Sequence, residues 1–266
     1  MNAITAITDF ATNQVGVALD DFVLTVTLQR PEKLNAVTPD MSRTLEQIAH
    51  AANDDPSVRV VILTGSGDRA FCAGSDIRTL DDYATPWQFR NRMDYCDALH
   101  ELRKPIIAAI NGYALGGGLE TSLICDIRIA AETAQFAAPE VKLGWIGGGG
   151  MSAFLSAAAG PSNAAVMTMT GDMIDAATAL RWGIVSEVVP GERLMERARE
   201  LASTIASRPP IAVETAKANI RAAYNLPHDQ AMAYERDLQA ITFATEDAAE
   251  GRRAFAERRD GVFRGR

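Results

Sequence analysis

Two short apolar runs, residues 15–19 and 22–28, flank Asp20 and Asp21, a spacing that predicts a β-hairpin. Thr38 and Pro39 mark the N-cap and first turn of a helix reaching residue 53, with Met41, Leu45, Ile48 and Ala49 on one face. Residues 58–64 are an unbroken run rich in β-branched side chains that stops at Gly65, the pattern of a strand buried on both faces. A glycine-punctuated loop over 65–78 follows, then a helix over 87–102 and a second buried strand over 105–110. The next unit repeats the plan: a helix over 116–125 opened by three glycines, then a strand over 126–130. The cluster Gly147 to Gly150 precedes a small-residue helix over 151–159, and 184–189 reads as the last strand. Beyond Glu192 the pattern is helical, broken at Pro209-Pro210 and near Pro227. Strands alternate with helices for two-thirds of the chain and helices fill the rest, which predicts an α/β core followed by an α-helical region, with the boundary near residue 200.

Composition narrows the class. At 266 residues, 47% hydrophobic and 23% charged, the chain can bury a large core as an ordinary globular protein. A net charge of −8 argues against a general nucleic-acid binder, which needs a basic face. Cys72, Cys96 and Cys125 are too few and too irregular for a disulfide framework, so a reducing compartment is expected. His50, His100 and His228 lack metal-ligand spacing, and no metal is expected. Met1 to Gln14 carries no basic flank or sustained apolar run, so no signal peptide is read there. The most apolar stretch, 105–119, is too short and too interrupted to span a bilayer. A soluble, cytoplasmic protein without membrane contact is the expectation.

The chemistry is carried by two glutamates near glycines. Glu120 closes the run from Asn111 through Gly116-Gly117-Gly118-Leu119, and Glu140 lies within Phe136-Ala137-Ala138-Pro139-Glu140. A further tight turn comes from Ala70-Phe71-Cys72-Ala73-Gly74-Ser75-Asp76-Ile77. Paired carboxylates beside exposed N–H donors are what proton transfer next to a carbonyl requires. Two influences oppose each other on these groups: a helix N-terminus favours the ionised form of Glu120, whereas burial raises a carboxyl pKa. Gly147 to Gly150 reads equally as a packing device or a substrate contact. Gly65-Ser66-Gly67-Asp68-Arg69-Ala70 mimics a dinucleotide fingerprint, but no amphipathic helix follows it, and the match is set aside. Cys72 and Cys125 read as buried apolar residues, and His50 and His100 as structural or solvated ones.

Taken in order, these segments resemble the enoyl-CoA hydratase/isomerase (crotonase) family. Arg30-Pro31-Glu32-Lys33-Leu34-Asn35-Ala36 is similar to its early CoA-binding turn, and residues 70–76 to its first oxyanion-hole segment. Residues 104–126 resemble its most specific motif, residues 134–144 the next, and Glu246 to Gly251 with Ala254, Phe255 and Arg258 its tail. The resemblance implies a crotonase-like repeated ββα spiral core over 1–200 and an α-helical trimerisation region over 201–266, in homotrimers or homohexamers. It implies a CoA thioester substrate from lipid metabolism, with coenzyme A part of that substrate and no separate cofactor.

On the same basis the thioester carbonyl lies between the backbone N–H groups of Ser75 and Gly117. Ser at 75, where alanine is common, then need not matter. Glycine at 117 leaves room for close approach to the thioester. Glu120 activates water for attack at Cβ and Glu140 exchanges a proton with Cα. Substrate contacts are implied at Lys33, Leu34, Ala36, Ala73, Ser75, Asp76, Ile77, Arg78, Gly117, Trp145, Phe255 and Arg258. Arg258 reaches a CoA phosphate from a neighbouring subunit; otherwise the arginines Arg252, Arg253, Arg258, Arg259, Arg264 and Arg266 form a solvated face. One departure stands out. Where many hydratases have a proline and a Gly-Gly-Thr-x-Arg-like run, this chain has residues 145–154, with bulky Trp145 and apolar Phe154 where the acyl pocket is shaped. The leading expectation is an enoyl-CoA hydratase-like lyase. The alternatives are an isomerase or specialised hydroxyacyl-CoA dehydratase of the same family, or a non-catalytic CoA-binding member.

Overall fold

Side-chain alternation along one central strand sets the layering. In a computed structural model that describes residues 6–266, Val61 and Leu63 face one core and Val60 and Ile62 another, all four nearly inaccessible to solvent. A period of two with both faces apolar places this strand between two layers.

The chain enters through β1 (Val15–Asp20) and β2 (Val23–Leu28), an antiparallel hairpin turned by Asp21 and Phe22 at positive φ. Helix α1 (Pro39–Asp54) follows, its N-cap Thr38 accepting from the Met41 N–H as the sequence predicts. Then come β3 (Val60–Gly65), β4 (Ala70–Cys72), α2 (Pro86–Arg90), α3 (Tyr95–His100), β5 (Ile106–Ile110), β6 (Tyr113–Leu115) and α4 (Gly117–Ile124). Next are β7 (Ile127–Ala131), β8 (Gln135–Ala137), α5 (Met151–Ala159), α6 (Pro161–Thr170), β9 (Ile174–Asp175), α7 (Ala176–Arg181) and β10 (Glu187–Val189). Helices α8 (Leu194–Ala206), α9 (Pro210–Asn225), α10 (His228–Phe243) and α11 (Glu246–Glu257) end the chain.

Two sheets result. The larger has the order β1-β2-β3-β5-β7-β10, parallel from β2 onward, and the smaller the order β4-β6-β8-β9. Each turn of the path leaves one strand in each sheet: β3 then β4, β5 then β6, β7 then β8. This is the expected α/β spiral. The main core includes Leu63, Phe71, Ile106, Leu119 and Phe136, while Leu194, Ala198, Ala202 and Ala206 of α8 cover the outer face of the large sheet. Phe71 is fully buried. Phe71→Ala is expected to lower the unfolding free energy by about 3–5 kcal/mol, read as a lower urea midpoint.

Several boundaries differ from the sequence reading. The loop over 65–78 contains β4 and runs into a 3-10 helix at Ile77–Asp82. The helix expected over 87–102 is two short ones, because Thr85 and Asp94 each cap a new start through Gln88 N–H and Cys96 N–H. The last strand is shorter than 184–189, since Ile184 and Val185 are buried in the turn before it. Strands β6, β8 and β9 went unread because two or three residues show no period. The breaks at Pro209-Pro210 and Pro227 hold, and a third lies at Thr245, which caps α11 by accepting from Ala248 N–H. Ala70–Cys72 is a strand rather than a helix, so the dinucleotide mimic is no fingerprint. The reading of Met1 to Gln14 rests partly on residues 1–5, outside the described residues. Among the described residues, no helix is long and apolar enough to cross a membrane.

Candidate active site

Asn35 joins the first two segments. Fully buried at positive φ, it accepts from Arg30 N–H at 2.9 Å and donates to the carbonyls of Ser66 at 3.0 Å and Ala70 at 2.7 Å. The backbone then runs alongside the oxyanion segment: Ala73 N–H donates to Leu34 O, Val37 N–H to Gly74 O and Asp76 N–H to Val37 O. Arg30 closes the join with an ion pair to Asp76 at 3.1 Å and a hydrogen bond to Ala36 O at 2.6 Å. Lys33, Leu34, Ala36, Ala73, Ser75, Asp76, Ile77 and Arg78 therefore form one neighbourhood, with Lys33, Ile77 and Arg78 exposed at its edge.

The second wall is the start of α4. A Cβ built on Gly74 would lie 2.9 Å from the Gly117 nitrogen, so the Ser75 and Gly117 turns meet there. Among the described residues neither of these two amides donates to another protein group. They are free donors beside each other, the arrangement an oxyanion requires. The reason for glycine at 117 differs from the expected one. A Cβ there would strike the Tyr95 hydroxyl at 2.0 Å and Gly74 Cα at 3.2 Å before any substrate arrived.

Glu120, only 5% exposed, sits on the first turn of α4. Its Oε1 accepts from Gly149 N–H at 2.8 Å and Met151 N–H at 3.1 Å, leaving Oε2 without a protein donor. A Cβ on Gly147 would come within 2.6 Å of Oε1, and one on Gly149 within 2.9 Å of Oε2. Gly147 and Gly149 thus form a cradle for the Glu120 carboxylate. Glu140 follows Pro139 in a 3-10 turn, Pro139–Leu143, and its Oε1 lies 2.7 Å from where a Gly116 Cβ would be. Glu140 Oε2 is buried with no hydrogen-bond partner.

Burial pushes the pKa of both glutamates up. The two amides at Glu120 Oε1 oppose that rise, and the Glu140 charge adds to it. A carboxyl whose folded pKa exceeds its ordinary value of 4.5 favours the folded state fully below that value and loses this contribution as pH rises through the folded pKa. Glu140→Gln is therefore expected to raise the melting temperature at neutral pH, with the gain vanishing in acid. An equal gain at both pH values would contradict this.

The remaining positions separate. Trp145 is 41% exposed after Gly144, while Phe154 packs against His100 with ring centroids 5.8 Å apart and lies over Gly150. Phe255 is 87% exposed on α11 and Arg258 ends that helix at positive φ; neither forms a hydrogen bond or ion pair with the 33–36 or 73–78 segments. Among the other C-terminal arginines, Arg253 and Arg259 pair with Glu250, and Arg266 pairs with Glu246. Cys72 and Cys125 are buried thiols pushed up to about 12 by desolvation. Sequence reasoning missed Tyr95 and the pairing of Arg30 with Asp76; recognising Asp94 as a helix cap would have set Tyr95 apart.

Two sheets, two free amides and two carboxyls, one buried and one partly buried, define a crotonase-type enzyme. The chain belongs to the enoyl-CoA hydratase/isomerase family, whose model matches residues 19–266. It is 39% identical over 240 residues to the mitochondrial enoyl-CoA hydratase of Pongo abelii, covering 90% of this chain and 82% of that one. It is 38% identical to the (E)-benzylidenesuccinyl-CoA hydratase of Thauera aromatica, covering 94% of this chain and 99% of that one. The crystal structure of an enoyl-CoA hydratase from Bacillus anthracis superposes with a TM-score of 0.91 at 36% identity, covering 95% of this chain and all of that one.

Proposed function

We propose that the protein is an enoyl-CoA hydratase, adding water reversibly across the α,β double bond of an acyl-CoA in lipid metabolism. The observation that carries this reading is the buried Glu120 and partly buried Glu140 carboxyls at the start of α4, with the free Ser75 and Gly117 amides beside it. Those amides hold the thioester oxygen. Glu120, with Oε1 fixed and Oε2 open, takes a proton from water as its oxygen bonds to Cβ. The π electrons move into the thioester as an enolate, and protonated Glu140 delivers a proton to Cα. Two carboxylates favour hydration over double-bond isomerisation, which one can carry.

Residues 33–36 and 73–78 carry the CoA moiety and Trp145 borders the acyl group. Phe255 and Arg258 serve a neighbouring subunit's CoA in a homotrimer or a hexamer of two trimers. Apolar Ile220, Tyr224, Met232, Ile241 and Phe243, exposed on α9 and α10, support such an assembly. Coenzyme A arrives as part of the substrate and no separate cofactor is required. Three free buried cysteines support a cytoplasmic setting.

The test is a spectrophotometric screen of enoyl-CoA thioesters differing in chain length and branching. Loss of the conjugated chromophore with a hydroxyacyl-CoA product is expected for at least one. Inactivity across the panel with CoA binding retained would favour a non-catalytic role.

A further inference from the structure

The oxyanion region contains two side-chain hydroxyls that the backbone pair does not explain. Tyr95, at the start of α3, is 4% exposed and its hydroxyl fills the space beside Gly117 where a Cβ would stand. Its one hydrogen-bond partner among the described residues is Ser75 Oγ at 3.3 Å, which in turn has no other partner. Each hydroxyl carries one proton and the contact between them uses one, so one O–H is left without an acceptor in the protein. An O–H in that state gains a partner when a ligand oxygen accepts from it.

Direction follows from chemistry and exposure. A phenol is the stronger donor and an alkyl hydroxyl oxygen the better acceptor, so Tyr95 donates to Ser75. Burial raises the Tyr95 pKa well above its usual value, which keeps the phenol protonated. Ser75 is the less buried of the two, and its backbone N–H donates to no protein group among the described residues.

We propose that the Ser75 hydroxyl, oriented and polarised by Tyr95, is a third hydrogen-bond donor to the thioester oxygen. The inference rests on the acyl-CoA reading above. Ser75 contributes through its side chain as well as its amide, and Tyr95 is a positioning residue that acts through it. Serine at 75 in place of the common alanine then has a consequence.

The experiment combines Ser75→Ala, Tyr95→Phe and the double variant with two readouts. The first is kcat and KM for crotonyl-CoA hydration. The second is the carbonyl stretch of isotope-labelled butyryl-CoA bound to each protein, a saturated thioester that cannot be hydrated. Ser75→Ala is expected to lower kcat by about 10- to 100-fold, the range for a hydrogen bond to a charged group, with KM little changed and the carbonyl band moved toward its free position. Tyr95→Phe is expected to cause a smaller change in the same direction, and the double variant to match Ser75→Ala. An unmoved carbonyl band in Ser75→Ala, or a Tyr95→Phe effect that multiplies fully with it, would overturn the proposal. An inactive parent would count against hydration alone, because the butyryl-CoA band still tests the donor.

Discussion

Replacing either glutamate by glutamine is expected to reduce the kcat of crotonyl-CoA hydration by about 10²- to 10⁴-fold, the usual contribution of positioned acid–base groups. The fold should survive both changes. In Glu120→Gln the amide oxygen can still accept from Gly149 and Met151, which both donate to Oε1 in the parent. The NH₂ then replaces the open Oε2, and a group that took a proton from water becomes one that cannot. In Glu140→Gln the amide occupies the place of an oxygen that has no protein partner, so no internal hydrogen bond is lost at that atom. What disappears is the proton destined for Cα. Because the two groups act on one transition state, the double variant should be little slower than the worse single one. Full hydration by Glu120→Gln, measured by chromophore loss, would refute its role in activating water.

Much of this site could be read from the sequence because its chemistry is local. The triple glycine ahead of Glu120 and the proline ahead of Glu140 each specify a backbone turn within a few residues, and both turns are present. The apolar run at β3 likewise announced a strand buried on both faces. What was hidden depends on contacts between distant segments. Gly147 and Gly149 are explained by Glu120, nearly thirty positions earlier, and no spacing rule within the cluster reveals that. Tyr95 was submerged in a continuous helix whose break depends on a single cap at Asp94. The short strands β6, β8 and β9 owe their pairing to the spiral rather than to propensity, so they became visible only with the second sheet.

Gly117→Ala is expected to lower kcat by about 10²- to 10³-fold, the cost of losing one oxyanion donor, roughly 3–4 kcal/mol of transition-state stabilisation. The cause is steric displacement within the protein. The new methyl would sit 2.0 Å from the Tyr95 hydroxyl and 3.2 Å from Gly74 Cα, and the second of these atoms belongs to the turn that carries the Ser75 amide. Relief must come from moving the Gly117 backbone, the Ser75 turn or the tyrosine, and either backbone movement separates the two donors. Gly191→Ala is the matched control, since its methyl would meet only Ala131 Cβ at 3.9 Å, an ordinary contact. A second variant tests the cause directly. With Tyr95→Phe added to Gly117→Ala, the nearest tyrosine-derived atom becomes the ring carbon Cζ at 3.2 Å, and part of the lost rate should return. Tyr95→Phe alone is expected to slow the enzyme, so recovery in the double variant would be a reversal of sign that a general loosening of the fold cannot produce. Undiminished activity in Gly117→Ala would show that the amide at this turn is not a donor to the thioester.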